Sequence, residues 1–229
     1  MIQELIDEVL EDRGDHISSG KWKPSGLGQC FRRQYWTRKQ EEPSNPIDKR
    51  TLRVFKAGNL FHDFVQTNLL TRYPNWQKEV KIEVEDVLGY ADLVSEDEVV
   101  DIKSQHSRKF WHNTQEVNNG ADIKDMFFNN WLQVAWYAWS LGKEKMRLVF
   151  VSKDDLSIQE YVLPLDGYWK GLLDEEFTKL NYYWKDNQTP AAQPRLYGGE
   201  ETKKECEYCQ FKDKCFAMEK SKKGATNGK

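Results

Sequence analysis

The chain has 229 residues, 38% of them hydrophobic and 13% aromatic, with a formal net charge of −3. That length suits one substantial domain with an appendage, and the mild negative charge argues against a protein that coats nucleic acid by charge alone. No apolar run reaches the roughly 18 residues that a membrane-spanning helix needs.

The opening MIQELIDEVLEDRG places Ile2, Leu5, Ile6, Val9 and Leu10 at helical spacing. It is acidic and lacks the basic start and apolar block of a secretory signal, so an intracellular (cytoplasmic) location is expected. SSGKWKPSGLGQ reads as a loop, Cys30 to Lys39 as a helix and EEPSNP as a break. A helix is expected from Thr51 to Thr71, with Leu60, Phe61, Phe64, Val65 and Leu69 as its apolar stripe. EVKIEV alternates, which predicts a strand over Glu79 to Glu85 with Val80, Ile82 and Val84 facing inward. Two more strands flank the acidic turn of GYADLVSEDEVVDIKS. A polar segment follows from Gln105 to Asp125, then a helix from about Met126 to Leu141 that Gly142 is placed to stop. MRLVFVS and SIQEYVL predict a strand pair around Lys153–Asp155, and a last long helix begins near Asp166. This order implies an α/β fold with a mixed sheet flanked by helices. The expected divisions are an N-terminal helical segment at 1–50, a core at 51–190, a cysteine module at 191–217 and a disordered tail at 218–229.

The chemistry concentrates in the central hairpin. Joining Leu88–Val94 to Val99–Lys103 through the loop Ser95–Glu98 pairs Val94 with Val99 and sets Asp92 opposite Asp101. Lys103 then projects from the same face. Like charges directly opposite are destabilising, so the pair calls for a cation between them or a proton on one of them. Mg²⁺ or Mn²⁺, bound through oxygen, meets that need, and a lysine beside it would hold a nucleophilic water or stabilise developing negative charge. The bland alternative is a solvated hairpin with a Lys–Asp pair on its wet face. His62 is either a packed side chain or a nitrogen ligand of the kind Mn²⁺ accepts. Asn130, Gln133 and Tyr137 share one helical face. They form the polar edge of an amphipathic helix, or a set of groups for a phosphate or base with aromatic rings alongside for stacking.

Basic residues gather between Arg32 and Lys56, which reads as a solvated face or a groove for phosphates. The four cysteines are Cys30, Cys206, Cys209 and Cys215. In an intracellular chain they suit metal ligation better than disulfides. One C-x2-C with a third cysteine six positions on and a fourth far upstream is a poor zinc ribbon. Thiolates suit iron–sulfur clusters as well as zinc, so both remain open on spacing.

Taken in order, His62, GYAD ending at Asp92, DIK at Asp101–Lys103 and QVAWY from Gln133 to Tyr137 resemble the motifs of RecB-type nucleases of the PD-(D/E)XK superfamily. PSGLGQCFRRQYW and CEYCQFKDKC extend the resemblance to the iron–sulfur branch. That branch includes CRISPR-associated four-cysteine exonucleases and the nuclease domains of some helicase–nucleases. The resemblance implies a restriction-endonuclease-like core with an iron–sulfur module joining the N- and C-terminal segments. It implies that His62, Asp92, Asp101 and the backbone carbonyl of Ile102 ligate a catalytic Mg²⁺ or Mn²⁺. Lys103 would be the active-site lysine, and Gln133 and Tyr137 would position the substrate. Cys30, Cys206, Cys209 and Cys215 would hold a [4Fe–4S] cluster. The implied activity is that of a metal-dependent DNA exonuclease hydrolysing phosphodiester bonds in single strands or at DNA ends. The rival is a DNA-end-binding or processing subunit of a CRISPR adaptation or recombination complex, with protein partners and cutting secondary. Ser104 stands where the family often has Thr. The Gln105–Asp125 segment matches no motif; Arg108 and Lys109 within it, together with Arg32 and Arg33, are expected to contact DNA.

Overall fold

The computed structural model describes residues 2–11, 18–193 and 202–226. They fall into two units, one within Met1–Lys21, Gly28–Leu52 and Thr178–Lys229, the other made of Trp22–Leu27 and Arg53–Phe177.

The second unit carries the sheet. Helix α3 (Lys49–Arg72) leads into strands β1 (Gln77–Val84), β2 (Val87–Val94) and β3 (Glu98–Gln105). Helices α4 (Ser107–Asn118), α5 (Ile123–Met126) and α6 (Phe128–Ser140) then cross over to β4 (Lys145–Ser152) and β5 (Ile158–Pro164), and α7 (Gly167–Lys185) follows. The strand order is β1-β2-β3-β4-β5. Only the β3–β4 step is parallel. Short loops allow the antiparallel steps, whereas a parallel step needs a long crossover, here supplied by α4 to α6.

Val65 on α3 packs with Leu93, Val100, Ile102, Val149 and Val151, and Phe61 and Leu69 lean on the same cluster. These three helix residues are four apart and form one ridge. Leu60 and Phe64 lie one position off that ridge and are exposed, so the apolar stripe is narrower than the sequence predicts. The segment after β3 is not an irregular polar stretch but helix. His106 caps α4 by accepting the Arg108 N–H, Phe110 is buried, and Asp122 caps α5 in the same way. Gly142, at φ +64°, follows the end of α6 as its spacing predicts.

Trp22–Leu27, read from sequence as plain loop, is built into the sheet unit. Trp22 donates to the Asp86 carbonyl at 2.8 Å and its own carbonyl accepts from Leu88 at 3.0 Å. Pro24 comes so close to β2 that a Cβ on Gly89 would lie 2.7 Å from Pro24 Cγ and 2.6 Å from Tyr137 Cε1. Glycine is required there for the close approach.

The first unit contains α1 (Ile2–Glu11), α2 (Phe31–Arg38), the end of α7, α8 (Thr202–Glu207) and α9 (Lys212–Thr226). Tyr35, Trp36 and Phe211 form its core, with Tyr183, Trp184 and Met218 against them. The Trp36 and Phe211 rings meet edge-on at 5.5 Å, and the Arg38 guanidinium lies 4.0 Å from the Trp184 ring centre. The division between units therefore falls inside α7, earlier than the expected boundary at 190. Helix α9 runs on to Thr226, where sequence predicts a disordered tail from 218; residues 227–229 lie outside the described residues, as do 194–201 of the expected cysteine module. Lys, Glu, Met and Ala are good helix formers and dominate the segment. Helix α1 is amphipathic as expected, yet Ile2, Leu5, Ile6 and Val9 are exposed while Asp7 is buried. Among the described residues no helix is long and apolar enough to cross a membrane.

Candidate metal-binding active site

Strands β2 and β3 pair at Leu93↔Val100 and Val94↔Val99, the register the hairpin pattern predicts. The ladder then opens. Asp92 Oδ2 accepts the Ile102 N–H at 2.5 Å, so the carboxylate takes the donor that a neighbouring strand would have used. Asp92 and Asp101 therefore do not form the simple opposed pair expected of an unbroken ladder. The other Asp92 oxygen lies 3.3 Å from His62 Nδ1, which α3 presents.

Asp101 is 1% exposed. Lys103 Nζ donates to its Oδ1 at 3.0 Å and lies 2.9 Å from its Oδ2, the latter without hydrogen-bond geometry. Lys103 Nζ also donates to Gln133 Oε1 at 3.1 Å, and Gln133 Nε2 donates to the Tyr137 hydroxyl at 3.3 Å. Gln133 and Tyr137 are one helical turn apart on α6, so one rigid element holds the lysine from across the sheet face. The structure thus brings together His62, Asp92, Asp101, Ile102, Lys103, Gln133 and Tyr137.

The electrostatics follow from burial. Desolvation is the largest influence on Asp101 and raises its pKa to about 6, with Asp92 adding to the rise and Lys103 opposing it. Burial pulls the Lys103 ammonium down, but Asp101 and Asp92 more than offset this and the net shift is upward, so the lysine stays charged. His62 behaves likewise: burial lowers its pKa, Asp92 raises it, and the balance is up. Burial also pushes the Tyr137 phenol up, which keeps it a neutral hydrogen-bonding group. Carboxylates and an imidazole are donors that Mg²⁺ or Mn²⁺ accepts; among the described residues the ligand atoms close enough to share one ion are those of His62, Asp92 and Glu79, and Asp101, paired with Lys103, is not among them.

Sequence reasoning missed Glu79. The register of β1 on β2 places it at the level of Asp92, but it makes no ladder pair there and its φ is +51°. Gln66, buried on α3, donates to Glu79 Oε1 at 2.7 Å and to the Asp92 carbonyl at 3.0 Å. The ligand atoms of His62, Glu79 and Asp92 lie within 4.8 Å of one another. In sequence, strict alternation makes Glu79 look like its exposed neighbours Lys81 and Glu83.

The basic run is reinterpreted. Arg32 is 1% exposed, bonded through Nε to the Pro190 carbonyl at 2.7 Å and paired with Glu219 at 2.7 Å, which removes it from any DNA-contacting surface. Arg33 is half-buried, whereas Arg108 and Lys109 are exposed on the first turn of α4. In the first unit, Cys30, Cys206, Cys209 and Cys215 all line one cavity of about 30 Å³ together with Arg32 and Arg33. Arg32 Nη1 lies 3.1 Å from Cys215 Sγ. Burial, and then the neighbouring cysteines, raise the Cys206 thiol pKa. Thiolates are donors for iron–sulfur and zinc centres alike, but among the described residues these sulfurs do not form a group close enough to share one ion.

No protein-family model matches the chain, and no curated protein matches it. Among solved structures, the crystal structure of SSO0001 is similar over 92% of this chain and 94% of its own, with a TM-score of 0.55 at 20% identity. This shows a shared fold. The alkaline exonuclease LHK-Exo from Laribacter hongkongensis matches 73% of this chain and 93% of its own, with a TM-score of 0.43 at 11% identity. A phage-related exonuclease from Haemophilus somnus 129PT matches 73% of this chain and 94% of its own, with a TM-score of 0.39 at 12% identity.

Proposed function

We propose that this chain is a divalent-metal-dependent deoxyribonuclease that hydrolyses phosphodiester bonds in single strands or at DNA ends. The observation that carries the reading is the linked set His62–Asp92–Ile102 and Asp101–Lys103–Gln133–Tyr137. A fortuitous solvated hairpin has no reason to bury an aspartate and tie its lysine to a second element. His62, Asp92, Asp101 and the Ile102 carbonyl would hold Mg²⁺ or Mn²⁺, which when bound supplies an activated water and a Lewis acid for the scissile phosphate. Asp92 orients the Ile102 peptide. Lys103 stays protonated and offers an N–H to the attacking water or to charge developing on the phosphate. Gln133 and Tyr137 fix the lysine head in place. Cys30, Cys206, Cys209 and Cys215 would hold a [4Fe–4S] cluster with a structural role, a reading supported by their shared cavity. Arg108 and Lys109 are positioned in solvent for phosphate contacts; Arg32 is not. A second reading, a DNA-end-binding subunit in a CRISPR adaptation or recombination complex, is favoured by the apolar residues that α1 leaves in solvent.

End-labelled single- and double-stranded DNA, incubated with protein and Mn²⁺, is expected to shorten progressively and to stay intact with EDTA. DNA that is bound but never cut would favour the second reading. Lys103→Ala is expected to slow cleavage by about a hundred- to a thousand-fold, the usual cost of one lost electrostatic stabiliser, with DNA affinity nearly unchanged. Single-turnover rates and filter binding measured on the same preparations separate these two effects. A large loss of affinity with normal turnover would make Lys103 a grip and not a catalytic group.

A further inference from the structure

We propose that Glu79 is an additional protein donor, beside His62 and Asp92, to the divalent cation of this site; the inference rests on the metal-dependent reading above. Three observations converge. The ligand atoms of the three residues lie within 4.8 Å of one another, close enough for one ion to touch all three. The Glu79 carboxylate is held from behind. Gln66 is 3% exposed, and its amide nitrogen bridges Glu79 Oε1 at 2.7 Å and the Asp92 carbonyl at 3.0 Å. Gln66 is one turn beyond His62 on α3, so a single helix sets the imidazole and steadies both carboxylates. Finally, Asp101, 1% exposed, acts electrostatically on His62 and Asp92, and its Oδ2 has no hydrogen bond, only the Lys103 ammonium at 2.9 Å.

The chemistry defines the ion. Glu79 and Asp92 bring two negative charges, and Asp101 adds a third that Lys103 partly offsets. A neutral imidazole with two carboxylates suits Mn²⁺ and similar first-row ions, and also admits Mg²⁺. The Glu79 backbone, at φ +51°, adopts a conformation that non-glycine residues visit rarely. This takes Glu79 out of the β1–β2 ladder at the level of Asp92.

The test is Mn²⁺ affinity of the full chain without DNA, read from the electron paramagnetic resonance of free Mn²⁺ after EDTA stripping and dialysis. Glu79→Gln keeps the acceptor for Gln66 but removes the charge. Glu79→Gly also removes the donor and is fully compatible with the positive φ, so it guards against a folding defect. Both are expected to weaken Mn²⁺ binding by at least about ten-fold, the lower end of the range for disturbed metal-site partners. Glu83→Gln removes the same charge from the same strand and is expected to leave the affinity unchanged. Wild-type affinity in both Glu79 variants, with affinity lost in His62→Ala, would overturn the role of Glu79 and leave the metal centre standing. A wild-type protein that binds no Mn²⁺ would remove both.

Discussion

Asp101→Asn and Asp92→Ala are both expected to reduce DNA cleavage by more than about a thousand-fold, and to differ in how thermal stability depends on pH. The shared loss follows because each change removes a charged donor from a site with few. The divergence comes from what each carboxylate does without an ion. Asp101 is buried, and desolvation raises its pKa to about 6. A carboxylate that holds its proton more tightly when folded than the ordinary value near 3.9 stabilises the fold below about pH 4. That contribution is lost as pH rises from about 4 to about 6 and stays lost above. Asparagine keeps the acceptor for Lys103 but never ionises. In EDTA, Asp101→Asn should therefore gain on wild type as pH rises from about 4 to about 6, against the cost of leaving the buried Lys103 ammonium without its counter-charge. Asp92 is different, because its carboxylate satisfies the Ile102 N–H. Alanine leaves that donor unpaired in the interior, at a cost of about 1–3 kcal/mol, and Asp92→Ala should melt below wild type. Melting curves in EDTA across that range check both signs. Cleavage near the wild-type rate in both variants would take the metal site away from this hairpin.

Cys30→Ala should do more than bleach the protein. Cys30 precedes strands β1 to β5 in sequence and Cys206, Cys209 and Cys215 follow them, yet all four belong to one unit and line one cavity. A shared centre would close a very long loop. By the chain-entropy argument such a closure is worth about 4 to 5 kcal/mol, comparable with the whole stability of a modest domain. Protein purified without oxygen should be brown and contain iron and sulfide. The Cys30→Ala protein should lose colour and become protease-sensitive within α2 and α9, while β1 to β5 stay protected. Limited proteolysis with mass spectrometry reads this directly. Zinc in place of iron would change the identity of the centre but keep the cross-link. Full metal content with unchanged protease resistance would end the cross-link itself.

The strands were legible because their signals are short-range. Val80, Ile82 and Val84 alternate within six residues, and the Ser95–Glu98 loop fixes the register of Val94 on Val99 without help from elsewhere. The opening of the ladder beyond Leu93 was not legible, since it depends on a side chain replacing a strand and on β3 binding β4 along its other edge. Glu79 was hidden for a related reason. Its carboxylate is held by Gln66 and lies near Asp92, and neither is near it in sequence. Arg32 shows the reverse error. A cluster of cations in sequence suggests a wet basic groove, but Arg32 is buried against Pro190 and Glu219, partners that become neighbours only when the chain's two ends fold together. The lysine motif was easier, because Asp101 and Lys103 lie on one strand face and Gln133 and Tyr137 on one helical turn.

The single parallel step between β3 and β4 bears on how the protein is made. Synthesis proceeds from the N-terminus, and domains fold as their segments emerge. The meander β1-β2-β3 closes through short turns and forms early, because local contacts cost little loop entropy. At that moment the chain already carries His62, Asp92, Asp101 and Lys103. It lacks α6, so Gln133 cannot yet hold the lysine, and β3 presents a bare edge until β4 arrives. A nascent chain arrested before Ser140 thus has every acidic group of the site and no working arrangement of them. The unpaired edge makes that same intermediate the species most prone to aggregate, so a short interval between α4 and β4 during translation protects the yield of the protein.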